Sequence, residues 1–170
     1  YTPGIVETDL ASYGFGNGSK PGTTVARQLA LYLTMPSPMQ MACDKPDSYR
    51  KYADAFEFIK AVPVEWRTSV YLEAEPGDYI TVARQDKNSD DWYIGAITDE
   101  NARKTKIKLD FLPKGKKYVA TVYEDGKDAD YRSNPKSYKI YEKKVDSKSV
   151  IALELAPGGG AAVMLRASDN

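Results

Sequence analysis

The chain has 170 residues, room for one sizeable domain or one domain with part of another, and 42% of them are hydrophobic. Its 24 basic and 24 acidic residues balance to a net charge of zero, which excludes the long-range positive field that draws nucleic acid or an anionic membrane. There is no histidine and only one cysteine, Cys43, so Ser-His-Asp and Cys-His catalysis, His-ligated metals and an internal disulfide are excluded within this chain.

The chain opens on Tyr1-Thr2-Pro3-Gly4 without an initiator methionine or a signal peptide, which reads as a piece of something longer. Residues 1 to 22 have little periodicity and many breakers (Gly14, Gly16, Gly18, Pro21, Gly22) and are expected to form a long loop. Thr23-Thr24 offers an N-cap to a helix carrying Val25, Leu29, Tyr32 and Leu33 on one face, which Pro36 and Pro38 stop. Pro38 to Cys43 is short, apolar and bounded by breakers, which predicts a buried strand. Asp47 then caps a second helix with the stripe Tyr52, Ala55, Phe56 and Ile59, closed by Pro63. Helix, buried strand, helix is the grammar of a parallel sheet or barrel. One strand and two helices cannot bury both faces of a parallel sheet, so residues 1 to 62 are expected to complete a fold mostly encoded upstream.

After Pro63 the grammar changes. Strands are predicted around Val64 to Leu72, Tyr79 to Arg84, Trp92 to Thr98, Lys104 to Phe111, Tyr118 to Tyr123, Tyr138 to Val145, Val150 to Leu155 and Ala161 to Leu165. About eight short strands at this spacing make an antiparallel sandwich or barrel. The run from Asp91 to Glu100 is its expected centre. Alternation sets Trp92, Ile94, Ala96 and Thr98 against Tyr93, Gly95 and Ile97, and a hairpin with the Lys104 strand is expected to follow. The fold class is thus an α+β fragment, with a boundary near residue 63. No apolar run approaches the ~20 residues of a membrane span.

Candidate chemistry is sparse. Glu7, Asp9, Asp44 and Glu57 offer no spacing that marks the carboxylate pair of glycoside hydrolysis. Asp44 stands at the end of the predicted Pro38–Cys43 strand, the face on which barrel active sites lie, although loop solvation or capping explains it as well. Asp86-Lys87-Asn88-Ser89-Asp90 opens like a calcium loop but has Ile97 where the bidentate glutamate belongs, so it is read as a turn. Asp125, Asp128 and Asp130 are read as a turn with solvated charges. Pro157-Gly158-Gly159-Gly160 lacks the Lys-Ser/Thr and the helix of a phosphate loop and is expected to be a flexible turn. Cys43 is read as a small buried hydrophobe. Thirteen tyrosines with Trp66 and Trp92 could build a sugar-binding platform, but alternation assigns most of them to strand packing.

Several segments resemble, in order, the closing part of glycoside hydrolase family 97. They are Tyr1-Thr2-Pro3-Gly4-Ile5, Ala26-Arg27-Gln28-Leu29-Ala30-Leu31-Tyr32, Ser37-Pro38-Met39-Gln40-Met41, Phe56-Glu57-Phe58-Ile59-Lys60, Gly77-Asp78-Tyr79-Ile80-Thr81-Val82-Ala83-Arg84, Trp92 to Glu100, Asp125-Gly126 with Asp128-Ala129-Asp130-Tyr131, and Leu155 to Ala162. The resemblance implies that residues 1–63 are the last units of a (β/α)8 catalytic barrel and 64–170 a C-terminal antiparallel β-sandwich. It also implies an exo-acting α-glucosidase or α-galactosidase of a periplasmic or exported system, with calcium near its catalytic site. The catalytic carboxylates and calcium ligands of such enzymes lie upstream of the matched region, so no catalytic and no metal residue is assigned here, and the chain alone is expected to be inactive. Barrel geometry sets Tyr1, Thr2 and Asp44 nearest the sugar pocket, as substrate-binding candidates. The expected partners are an oligosaccharide, through the parent barrel, and the missing N-terminal part of the same protein. The competing reading is a stand-alone carbohydrate-binding or scaffolding sandwich, which would have no need of the α/β segment.

Overall fold

A computed structural model describes residues 2–168. An extended segment leads into a short 3-10 helix, Leu10–Tyr13, and then into α1 (Val25–Thr34), α2 (Pro46–Lys51) and α3 (Ala53–Ala61). Thr24 caps α1 as its position predicts, its hydroxyl oxygen accepting from the Arg27 N–H at 3.2 Å. The second predicted helix is broken at Tyr52 into α2 and α3. Its N-cap is Lys45, with Pro46 in the first turn, and Asp47 lies one residue inside.

Pro38 to Cys43 is not a buried strand. The segment runs over the surface with Met39 75% and Met41 55% exposed, and Cys43 is exposed as well. A strand needs a neighbour for its backbone groups. Here no strand lies alongside among the described residues: the Cys43 N–H donates to the Pro3 carbonyl at 3.4 Å, the Tyr32 hydroxyl donates to the Met41 carbonyl at 3.1 Å, and the Met39 N–H and carbonyl bond to the Ser37 hydroxyl.

Eight strands follow: β1 (Trp66–Glu75), β2 (Tyr79–Asp86), β3 (Trp92–Thr98), β4 (Arg103–Lys108), β5 (Lys117–Asp125), β6 (Tyr138–Val145), β7 (Val150–Leu155) and β8 (Gly160–Ser168). Every strand pairing is antiparallel. A six-stranded sheet has the order β1-β2-β3-β8-β5-β6, and β4 pairs with β7 in a second sheet. The expected β3–β4 hairpin does not form. β3 lies between β2 and β8, while β4 crosses to the other layer. Thr105 and Ile107 of β4, with Leu109 beyond it, face the core and their lysine neighbours face solvent, so β4 suits an outer layer. β3 has no polar face and belongs inside.

Three layers result, with two cores. Between the sheets, Trp92, Ile94 and Ala96 of β3 meet Ile107, Leu109, Ile151, Leu153 and Val163. On the opposite face of the large sheet, Val82, Tyr93, Tyr123, Ala162 and Met164 pack against Leu29, Leu33, Ala55 and Phe58 of α1 and α3. Each fully buried Leu or Phe contributes roughly 1.5–3 kcal/mol, so the helices add substantially to the stability of the sheet. α1 comes closest at Gly95, where an added Cβ would lie 2.7 Å from Leu33 Cβ and 2.9 Å from the Ala30 carbonyl oxygen.

Candidate functional site

Of the three predicted substrate contacts, Tyr1 lies outside the described residues. Thr2 is half-buried at the start of the extended segment. Asp44 is drawn to its vicinity because residues 3 and 43 run side by side. Asp44 is thoroughly engaged. Its Oδ2 accepts from the N–H groups of Val6 at 2.7 Å and Glu7 at 2.8 Å, and its Oδ1 accepts from the Lys45 N–H at 2.7 Å and from the Tyr13 hydroxyl. The Asp44 N–H donates to the Tyr49 hydroxyl, which in turn donates to the Gly4 carbonyl at 2.9 Å. Burial pushes the Asp44 carboxyl up, but the Glu7 N–H, the Tyr13 hydroxyl and the other donors outweigh it and hold it below the usual carboxylate range. This ionised group ties the N-terminal segment to α2 and is poorly suited to act as an acid. A depression of about 420 Å³ beside it is lined by Tyr49, Phe56 and Glu57 among others, and Glu57 is paired with Lys60 at 2.5 Å. Asp44 and Glu57 therefore do not form an available proton-transfer pair.

The acidic loops close on themselves. Asp86 accepts from the Asn88 N–H at 3.1 Å and the Ser89 hydroxyl at 2.6 Å. Asp128 holds the Asn134 amide at 2.9 Å and the Ser137 hydroxyl. Asp130 accepts from the N–H groups of Arg132 and Ser133, both at 2.8 Å. Asp86 and Asp130 make side-chain-to-backbone turns, and Asp128 ties its loop through side chains. Among the described residues no group of three or more His, Cys, Asp or Glu is placed to hold a metal ion.

The most constrained constellation is one that sequence reasoning missed. Pro157-Gly158-Gly159-Gly160 is no flexible turn, since all three glycines are buried. The Gly158 N–H donates to the Asp99 carbonyl at 2.7 Å, the Gly158 carbonyl accepts from the Thr24 N–H at 3.2 Å, and the Gly159 carbonyl accepts from the Thr98 N–H at 3.2 Å. Beneath the turn lies Asp125, only 3% exposed, whose Oδ2 accepts from the N–H groups of Ala156 and Gly160, both at 2.8 Å. A Cβ on Gly159 would fall 1.9 Å from that oxygen, so only glycine fits. Burial raises the Asp125 carboxyl to about 6, against the opposing pull of the Thr24 side chain and the two N–H groups. The arrangement joins the start of α1 to β3, β5 and β8. Its chemistry is that of a structural pin.

Comparison with known proteins agrees with the layered fold. Residues 65–166 match the family model described as Glycosyl-hydrolase 97 C-terminal, oligomerisation. A retaining alpha-galactosidase of Bacteroides thetaiotaomicron is 37% identical over 143 residues, which are 84% of this chain and 21% of that protein. A glycoside hydrolase family 97 enzyme from Pseudoalteromonas sp. strain K8, solved with acarbose and with panose, superposes with a TM-score of 0.93 at 41% identity over 99% of this chain and 26% of that one. A beta-arabinopyranosidase shares the fold with a TM-score of 0.77 at 24% identity over 96% of this chain and 24% of that one. The chain thus spans about a fifth of the curated relative and about a quarter of the solved ones.

Proposed function

Since the chain belongs to glycoside hydrolase family 97, of which it carries the C-terminal region, we propose that it is the closing, non-catalytic portion of an exo-acting enzyme that cleaves terminal α-glucosidic or α-galactosidic bonds. The observation that carries this reading is the second core. Helices α1 and α3 are packed onto the large sheet by Leu29, Leu33 and Phe58 against Val82, Tyr93 and Tyr123. In this reading residues 1–63 are the last units of a (β/α)8 barrel, and the sandwich from residue 64 braces them through that core. The exposed side chains of Met35, Met39 and Met41 suit a surface that the rest of the barrel covers. Thr2 and Asp44 lie nearest the sugar pocket, with Asp44 holding the Val6–Glu7 backbone in place and not touching the reacting bond.

The catalytic carboxylates are assigned upstream. So is the calcium ion that such enzymes use, because the acidic groups described here are spent on turns and on Asp44's own contacts and do not fit a calcium cage. An exported or periplasmic location goes with polysaccharide degradation. The test compares the full-length protein with this chain on nitrophenyl α-glucoside and α-galactoside. The full-length protein is expected to turn over at least one, and this chain neither. Turnover by this chain would overturn the assignment of the catalysts upstream, and an inert full-length protein would overturn the α-glycosidase reading.

A further inference from the structure

The run Gly14-Phe15-Gly16-Asn17-Gly18 sets one large apolar side chain among glycines and an amide, with no apolar neighbour in the run. It forms the tip of the loop that joins the extended N-terminal segment to α1. The backbone of this loop is well held. The Leu10 N–H donates to the Ser19 carbonyl at 3.1 Å and closes the neck. The Phe15 N–H donates back to the Leu10 carbonyl at 3.4 Å, and the Ser19 N–H to the Gly16 carbonyl at 3.0 Å. Gly14 and Gly18 supply the left-handed conformation, at φ 86° and 79°, that the two bends require. Below the tip, the Tyr13 hydroxyl donates to Asp44 and lies 3.2 Å from the Ser48 hydroxyl, while Lys45 donates to the Ser12 carbonyl at 2.8 Å. Lys20 ties the other limb to the Arg132 carbonyl. Compact loops with joined ends are frequent carriers of function.

Phe15 itself is 61% exposed. Residues 14 and 16–18 are exposed as well, and apart from the adjoining residues nothing lies within 4 Å of where a Cβ would stand on Gly14 or Gly18. The exposed Met35, Met39 and Met41 come as a group along one short stretch, as a surface covered by protein requires. Phe15 stands alone, an aromatic face on a pre-ordered loop with open, polar surroundings. That suits a ligand that is apolar on one flat side and hydroxylated at its rim, which is the shape of a pyranose ring.

We propose that Phe15 is a stacking wall for the sugar on the leaving side of the bond that the parent enzyme cleaves. This role rests on the α-glycosidase reading above. There the loop joins a barrel strand to the following helix, and loops of that kind build the active-site face. Tyr13 is spent on Asp44, so Phe15, two residues further out, is the aromatic side chain of the loop that can meet substrate. Its place beyond Asp44 fits the leaving-side sugar better than the terminal one, which an exo-acting site must enclose. A rigid aromatic ring adds contact at little ordering cost.

The test uses the full-length protein with Phe15→Ala, Phe15→Leu and Phe15→Trp. The substrates are maltotriose or melibiose, whichever the wild type cleaves faster, and the matching α-glycosyl fluoride. The fluoride has no leaving-side sugar, so it reports whether the fold and the rest of the site are intact. Phe15→Ala and Phe15→Leu are expected to lower kcat/KM for the oligosaccharide roughly tenfold and leave that for the fluoride unchanged. Phe15→Trp, which keeps an aromatic face, is expected to preserve both. A wild type that cleaves neither sugar overturns the α-glycosidase reading and the role of Phe15 with it. With an active wild type, an alanine variant that keeps full oligosaccharide turnover or loses both substrates alike overturns the stacking role alone, as does a leucine variant equal to wild type.

Discussion

Asp125 and Asp44 are both partly or wholly enclosed carboxylates, yet burial wins at one and hydrogen bonding at the other. Asp44 collects donors from four residues and is held low, whereas Asp125 is 3% exposed and pushed up to about 6. For Asp125 the folded form holds its proton more tightly than the unfolded chain, whose pKa is about 4. Its contribution to stability is therefore fullest below about pH 4 and is lost as pH rises through about 6, on the order of 3 kcal/mol. Asp125→Asn, which cannot ionise, should lack this dependence. Measured by urea unfolding, the stability of the variant relative to wild type should rise between pH 4 and 7, and a pH-independent difference would contradict the assignment. Asp44 drew notice in the sequence because it follows an apolar run. The sequence places Asp125 only among the solvated charges of a turn, yet it is buried at the end of β5, since its partners Thr24, Ala156 and Gly160 are remote in the chain and no local pattern announces that they meet.

At the level of elements, alternation foretold all eight strands and both faces of β3, because period two reports which way side chains point. It says nothing about which strand lies alongside. The hairpin expected between β3 and β4 failed for that reason, and the Pro38–Cys43 strand failed because an apolar run needs a pairing partner that the described residues do not supply. Gly95 was legible only as a small residue in a strand, although the approach of α1 depends on it. Gly95→Ala should drive Leu33 and the Ala30 carbonyl away from the sheet and cost about 1–3 kcal/mol, read as a lowered thermal midpoint. A midpoint equal to wild type would mean that α1 does not pack so closely.

For the whole molecule, chain order and spatial order disagree. The span that identifies the family begins at residue 65, but the large sheet is covered on one face by residues that precede it. This has a practical consequence for anyone who wishes to produce the sandwich by itself. Cutting the chain at the edge of the recognised span would strip the lining from Val82, Tyr93, Tyr123 and Met164 and leave a broad, sticky underside in water. Residues 64–168 alone should scatter light and bind a hydrophobic dye on purification, while the same span preceded by residues 2–63 should do neither. A clear, dye-silent solution of the shorter piece would count against the shared core. The lining of the large sheet therefore lies outside the stretch by which the chain's kinship is known.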